Sequence, residues 1–407
     1  MPGMARVEQT LSMATAGEDQ HAMGRARIGV TTAFAAHAVL SGLLGPWIPR
    51  IKAQAGLDAS GLGIALTGFA MGLLAGTRVA DAAIRRWGGR RVVRGGIPTM
   101  GVGFALLPVA GSLASLTLLF LGIGVLAGLI DVAMNIEAVA VERRFERRVM
   151  SAIHGTWSVA LFVGAALASA GIAARLSIGV HLPISAALVV VVSGVFLRWL
   201  PNAEEPVVGS PEEATAGSPD DPLAGRVGPN PVLLLCLVAA GSFLVEGIAV
   251  EWSAVFLRES VGAAPSAAGL GVVAFSAGMA TSRFVGDRLV ARFGQTAVVR
   301  VGASSAFVAL AGMLIVHRMV PSIAALGIVG LGLGPVVPLA FRAAGWTHRP
   351  GHASALPLVA TAGYMGSIVG PLLVGFIADL ATLRIAFLVP VLASLVSALA
   401  AGATRDR

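Results

Sequence analysis

The chain has 407 residues, 56% of them hydrophobic and only 12% charged, with a mean hydropathy of +0.84, a formal net charge of +8 and a pI of about 11.2. A charged fraction so far below the usual quarter excludes a water-soluble globule and leaves an integral membrane protein. The basic residues stand in short clusters between apolar runs, which speaks against nucleic acid as a partner. The single cysteine, Cys236, excludes a disulfide framework and a thiolate metal site.

Residues 1–26 are polar and mixed in charge, and the first long apolar run begins only at about Ile28, too late and too long for a signal peptide. Their composition predicts a disordered cytoplasmic tail. A helix needs about 20 apolar residues to cross the hydrocarbon layer and must satisfy its own backbone there. Twelve segments meet that length, near 28–48, 60–82, 92–112, 115–139, 152–174, 181–200, 230–254, 266–289, 297–317, 320–342, 353–379 and 383–402. After the sixth comes PNAEEPVVGSPEEATAGSPDDPLAGRVGPN, too rich in Pro, Gly, Ser and acid to bury a core, so 201–229 reads as a flexible cytoplasmic linker. It separates an N-terminal six-helix bundle, 27–200, from a C-terminal one, 230–407.

Arginine sets the orientation. Clusters such as Arg85, Arg86, Arg90, Arg91 and Arg94, then Arg143, Arg144, Arg147 and Arg148, fall between spans on the side of the N-terminus; the other side holds only Arg50, Lys52, Arg175, Arg258, Arg318 and Arg384. Both termini are expected in the cytoplasm of a bacterial cell, with the chain crossing the inner membrane repeatedly and the lipid bilayer as its surroundings.

The two bundles are copies. Shifted by about 206 positions, Gly72, Val79, Asp81, Arg86, Gly88, Val92, Val93, Arg94 and Gly96 fall on Gly278, Val285, Asp287, Arg292, Gly294, Val298, Val299, Arg300 and Gly302. The same shift lays Gly124 and Gly128 on Gly330 and Gly334, and Gly164 on Gly370. Parallel six-helix repeats joined by a polar linker are the plan of one large transporter class. With the stretches DVAMNIEAVAVERRFERRVMSAIHGTWS, VEGIAVEWSAVFLRE and GYMGSIVGPLLVGFIAD, the chain resembles the major facilitator superfamily, and within it the branch of the membrane protein MosC. The resemblance implies an all-α membrane protein of twelve transmembrane helices in two pseudo-symmetric six-helix bundles. It also implies a secondary transporter of a small solute, polyol-, sugar- or metabolite-like, working by alternating access, without cofactor or metal and as a monomer.

The superfamily's loop between spans two and three carries Asp-Arg-any-Gly-Arg. Here Arg86 with Gly88, and Arg292 with Gly294, keep the pattern, while Arg85 and Ala291 stand at the acid's place. The nearest acids, Asp81 and Asp287, lie one helical turn earlier and are candidates to latch the inner side by pairing with arginines of the other half. The alternative is a topogenic cluster with a local Arg283–Asp287 pair at i,i+4.

Ionisable groups inside the bilayer cost a few kcal/mol even on the mild insertion scale, so each is a candidate functional residue. Asp131 and Asn135 share one face of span four, Glu246 and Glu251 lie on span seven, and His37 sits near the middle of span one. In the superfamily, spans one, four, seven and ten line the central cavity, so the resemblance implies that these side chains converge. Glu246 and Asp131 are the candidate proton-coupling or substrate-orienting acids, since an acid withdrawn from water is a candidate proton carrier. Arg283 on span eight is a candidate to neutralise an anionic substrate or a cavity acid, with snorkelling to the headgroups as the alternative. Trp157 and Tyr364 are candidates to stack on a substrate ring. Pro335 and Pro338 predict a kink in span ten.

An enzyme would need a dense polar cluster, a metal signature or a large extramembrane domain, and none is present. A subunit of a nucleotide-driven pump would need a docking partner. Drug efflux by proton exchange is the remaining alternative, but span four holds no arginine and span five no proline of the Gly-Pro signature those antiporters carry.

Overall fold

The computed structural model describes residues 2–145, 150–201, 230–346 and 355–405, with the backbone alone at 2–21, 151 and 346. Among the described residues there is no strand, and twelve helices are long and apolar enough to span a membrane. They are α1 (Ala22–Gln54), α2 (Ala59–Trp87), α3 (Gly89–Val109), α4 (Leu113–Phe145), α5 (Ala152–Ala173) and α6 (Ile178–Leu197) in the first half. The second half holds α7 (Pro231–Glu251), α8 (Pro265–Phe293), α9 (Gln295–Val316), α10 (Met319–Gly345), α11 (Leu356–Leu380) and α12 (Leu383–Thr404). Each of the twelve expected spans has its helix. An even number of spans puts both chain ends on one face, the terminal face; the opposite face is the far face.

One expectation is not met at the N-terminus. The segment anticipated as a disordered tail continues α1 as one helix, Pro2–Gln54. Its Ala, Met, Glu, Gln and Arg residues are good helix formers, and a long helix already nucleated by the buried span extends one residue at a time without a second nucleation cost. The expected linker lies, beyond Pro201, outside the described residues.

Lipid tails are as apolar as leucine, so helix association inside the bilayer rests on close packing of small residues. The repeated glycines supply it at equivalent places in both halves. A side chain on Gly72 or Gly76 of α2 would strike the α4 backbone at Leu121 or Val125, and one on Gly124 or Gly128 would strike α2 in return. In the second half Gly278 on α8 and Gly330 on α10 make the matching contact. Gly42 and Gly164 join α1 to α5, and Gly366 brings α11 onto Ala240 of α7.

The basic elbows also repeat. Gly88 and Gly294 both have φ of 80°, with ψ of 144° and 155°, and each returns its N–H to the carbonyl four residues back, Ile84 and Val290. Only glycine adopts that backbone easily, which lets one residue reverse the chain between spans. In the first elbow Arg94 Nε donates to Leu197 O at 2.9 Å and Arg90 to Arg198 O at 3.3 Å, so these cations cap the C-terminal end of α6.

The halves meet through α2 with α11 and α5 with α8, two contacts that the repeat exchanges. At the far face Gly63 of α2 lies against the Pro371 carbonyl of α11, and Gly375 of α11 against the Ala59 carbonyl of α2. There too, Gly269 packs on Pro46 and Ser169, and Gly45 on the Val250 carbonyl. Nearer the terminal face Gly155 of α5 meets the Phe284 ring of α8.

Candidate functional site

Pro338 shapes the centre of the second half. It has no N–H to give to Gly334, four residues earlier, and α10 breaks there into Met319–Leu333 and Val336–Trp346, the kink expected from the prolines. The freed Gly334 carbonyl accepts from Arg283 Nε at 3.4 Å. Arg283 stands ten residues before the end of α8 at Phe293, about 15 Å along the axis and hence near mid-depth. Its side chain is only 22% exposed.

The guanidinium faces across the interface between halves. Nη1 donates to Ser158 Oγ of α5 at 2.9 Å, and the cation lies 5.8 Å from the centre of the Trp157 ring. Nη2 is 3.9 Å from Glu246 Oε1 of α7, whose side chain is 21% exposed. That is an ion pair without a hydrogen bond, so the fork of Arg283 stays incompletely filled. Trp157 Nε1 in turn donates to His37 Nδ1 of α1 at 3.4 Å. His37 is buried, and its Nε2 has no hydrogen-bond partner within normal distance and angle among the described residues. A continuous set of polar contacts thus runs from Glu246 through Arg283 to Ser158 and Trp157, and on to His37.

The other candidates form a second group. Asn135 Nδ2 donates to the Asp131 carbonyl at 2.8 Å and approaches its Oδ1 at 3.4 Å, so the two are tied along one turn of α4. Tyr364 of α11 lies within electrostatic range of Asp131. It packs 5.9 Å from Phe243, which is 6.1 Å from Phe341, giving an aromatic row in the second half. Glu251 joins neither group. Five residues beyond Glu246 it is turned about 140° round the helix. There its Oε2, like Trp252 Nε1 and Ser253 Oγ, is buried without a hydrogen-bond partner among the described residues.

The expected inner latch is not formed. Asp81, Arg86, Asp287 and Arg292 are exposed, and among the described residues no ion pair joins either aspartate to an arginine, the local Arg283–Asp287 pair included. No cluster of three potential metal ligands exists among the described residues.

Sequence reasoning missed Ser158 and the Gly334 carbonyl, the two groups that fix Arg283. Ser158 directly follows Trp157, and Pro338 marks Gly334 by its spacing, but a backbone acceptor is recognisable as a partner only once α8 is packed on α10. The site also draws on α5 and α8 beside α1, α7 and α10, whereas α4 contributes its polar pair to the second group.

Several known proteins are similar to this chain over most of its length. The model of the Major Facilitator Superfamily matches residues 30–344 and 235–406. An uncharacterised MFS-type transporter of Yersinia pestis is 33% identical over 344 residues, covering 84% of this chain and 86% of the relative. The transporter y4wD of Sinorhizobium fredii is 31% identical over 380 residues, 91% of this chain and 96% of that one. The membrane protein MosC of Rhizobium meliloti is 25% identical, over 86% of this chain and 83% of its own. Among solved structures, a mutant of the nucleoside transporter NupG superposes with a TM-score of 0.68 at 14% identity, covering 94% of this chain and all of that one. Twelve apolar helices, two pseudo-symmetric halves and the family match together show that the chain belongs to the Major Facilitator Superfamily of membrane transporters.

Proposed function

We propose that the protein is a proton-coupled secondary transporter of a small polar solute, polyol-, sugar- or metabolite-like, that exposes one central site alternately to each side of a bacterial inner membrane. The terminal face is the cytoplasmic one, by the arginine distribution. A single chain suffices, since both halves of the site lie within it. The observation that carries this reading is Arg283, bound to Ser158 of the other half at 2.9 Å and standing beside Glu246 at mid-depth. The Arg283–Ser158 bond runs between the halves and must be rearranged whenever they rock, and because the same guanidinium is the counter-charge of Glu246 in its own half, the state of that acid is tied to conformation.

In this cycle Glu246 takes a proton from one side, Arg283 is released from its counter-charge, and the solute completes the guanidinium's hydrogen bonds. Trp157 and Tyr364 offer ring faces for stacking, and Asp131 with Asn135 offers acceptors and a donor on the far wall of the site. Loss of the proton on the other side restores the pair and expels the solute.

The test is uptake by proteoliposomes holding no other protein, under an imposed pH gradient, with a panel of polyols, sugars, nucleosides and amphiphilic drugs. Gradient-driven accumulation of a polar solute supports the reading, and selective drug export replaces it with efflux. Glu246→Gln should abolish accumulation but permit solute exchange; accumulation at the wild-type level in that variant removes Glu246 from the mechanism.

A further inference from the structure

The two interfaces between the halves are related by the repeat, yet at the far face they are held differently. In the α2–α11 contact, Asp379 in the last turn of α11 reaches across to the start of α2. Its Oδ1 accepts from the Ala59 N–H at 3.1 Å and its Oδ2 from the Ser60 N–H at 2.6 Å. These are donors that no helix can satisfy internally, and they carry the positive end of its dipole. Within α2's own half, Asp58 serves the next one, accepting from Gly61 N at 2.7 Å. A second bridge lies beside the first: Lys52, in the last turn of α1, pairs with Glu259 at 2.6 Å, and its side chain is only 12% exposed. Glu259 sits in the π-helical turn Phe256–Ser260 that follows α7. Lys52 is the one lysine of the chain, and its charge also acts on Asp379.

The symmetry-related contact has none of this. The shift of 206 places Ala173 where Asp379 stands, and Pro265 and Ser266 where Ala59 and Ser60 stand. There the acid is absent and the first donor is a proline nitrogen without hydrogen. Glycine and proline packing at Gly269, Pro46 and Ser169 closes that side instead. Joining two six-helix halves therefore does not itself require a polar bridge, and one interface has acquired it.

We infer that Asp379 on the α2 N-terminus, together with Lys52–Glu259, is a releasable clasp that holds the far face closed and sets how often it opens. Each of its bonds runs between the halves, so a rocking motion that separates α2 from α11 must break the carboxylate from both N–H groups and part the ion pair. Water can replace those partners on release, because the clasp lies at the membrane surface and not at mid-depth. The bonds are thus strong enough to bias the closed form and reversible enough to cycle. This inference rests on the alternating-access reading, but the measurement that tests it needs no substrate.

Spin labels at Gly111→Cys in the first half and Ala381→Cys in the second, both exposed and outside the clasp, report the far-face separation by double electron–electron resonance in a Cys236→Ser background. The wild type should show one short distance. Asp379→Asn combined with Lys52→Met should add a longer distance and raise the open-to-closed ratio at least about tenfold, the factor expected from losing charge-assisted bonds. A label pair within the first half, Gly111→Cys with Leu176→Cys, must stay unchanged, showing that the fold is intact.

Two further variants keep the test decisive should that one fold poorly. Ala59→Pro removes one clasp donor at a position where helices accept proline, as Pro265 shows in the other half, and should open the face in part. Exchanging the charges, Lys52→Glu with Glu259→Lys, should return the single short distance that Lys52→Glu alone loses. An unchanged far-face distance in folded Asp379→Asn/Lys52→Met overturns the clasp, and so does a charge exchange that opens the face as widely as the single change. Either result leaves the transport reading standing, while failure of uptake with a responsive clasp would sink only that reading.

Discussion

Removing one member of the Arg283–Glu246 pair should cost more than removing both. At the separation of 3.9 Å the two charges attract by about 1 kcal/mol at the permittivity of water and about 4 kcal/mol at an effective value of about 20. With the side chains 22% and 21% exposed, the coupling should fall between these limits, at about 2 kcal/mol. Arg283→Gln leaves the Glu246 carboxylate without a counter-charge at mid-depth. Glu246→Gln leaves Arg283 with Ser158 and the Gly334 carbonyl. The arginine substitution should therefore be the more damaging single change. A double-mutant cycle on equilibrium unfolding in mixed micelles measures the coupling directly. Additivity within about 0.5 kcal/mol would refute the claim that the pair is held in a medium poorer than water.

Ser158→Ala should destabilise the closed contact of α5 on α8 by about 1.5–3 kcal/mol, since it removes a hydrogen bond to a charged donor, and thermal unfolding of the purified protein reads this. Gly330→Leu should prevent α8 and α10 from meeting, because its first side-chain carbon already strikes the Phe275 carbonyl. Gly122→Leu on α4, with open space around it, should be tolerated; size-exclusion profiles after expression separate the two outcomes. Gly88→Ala and Gly294→Ala should each lower stability by about 1–3 kcal/mol for forcing a side chain into a backbone region kept for glycine, again seen in thermal unfolding.

Hydropathy alone located all twelve spans, because backbone burial in lipid requires a long apolar helix wherever the chain crosses. The duplication was equally readable, since equivalent helix contacts in the two halves need glycine at equivalent places: Gly72 and Gly278, Gly124 and Gly330. The N-terminal segment was misjudged by composition, because a helix anchored in a membrane span extends through residues that would not nucleate one alone. Glu246, Arg283, Trp157 and His37 could be named as polar groups out of place, but their order in space could not.

That order is what the tertiary structure decided. Arg283 owes its orientation to Ser158 and to a carbonyl freed by Pro338, partners separated from it along the chain and brought close only when α5, α8 and α10 pack. The arginines of the elbow, read from sequence as latch or topology signals, turn out to cap α6 through Arg90 and Arg94. Asp379 and Lys52 carried no mark of their roles, for an acid and a lysine at the ends of spans are ordinary there. Composition dictates which segments enter the membrane, because each residue contributes to that transfer on its own. Which lone polar group meets which depends on pairwise geometry across helices, and a linear sequence does not hold that geometry until the halves are assembled.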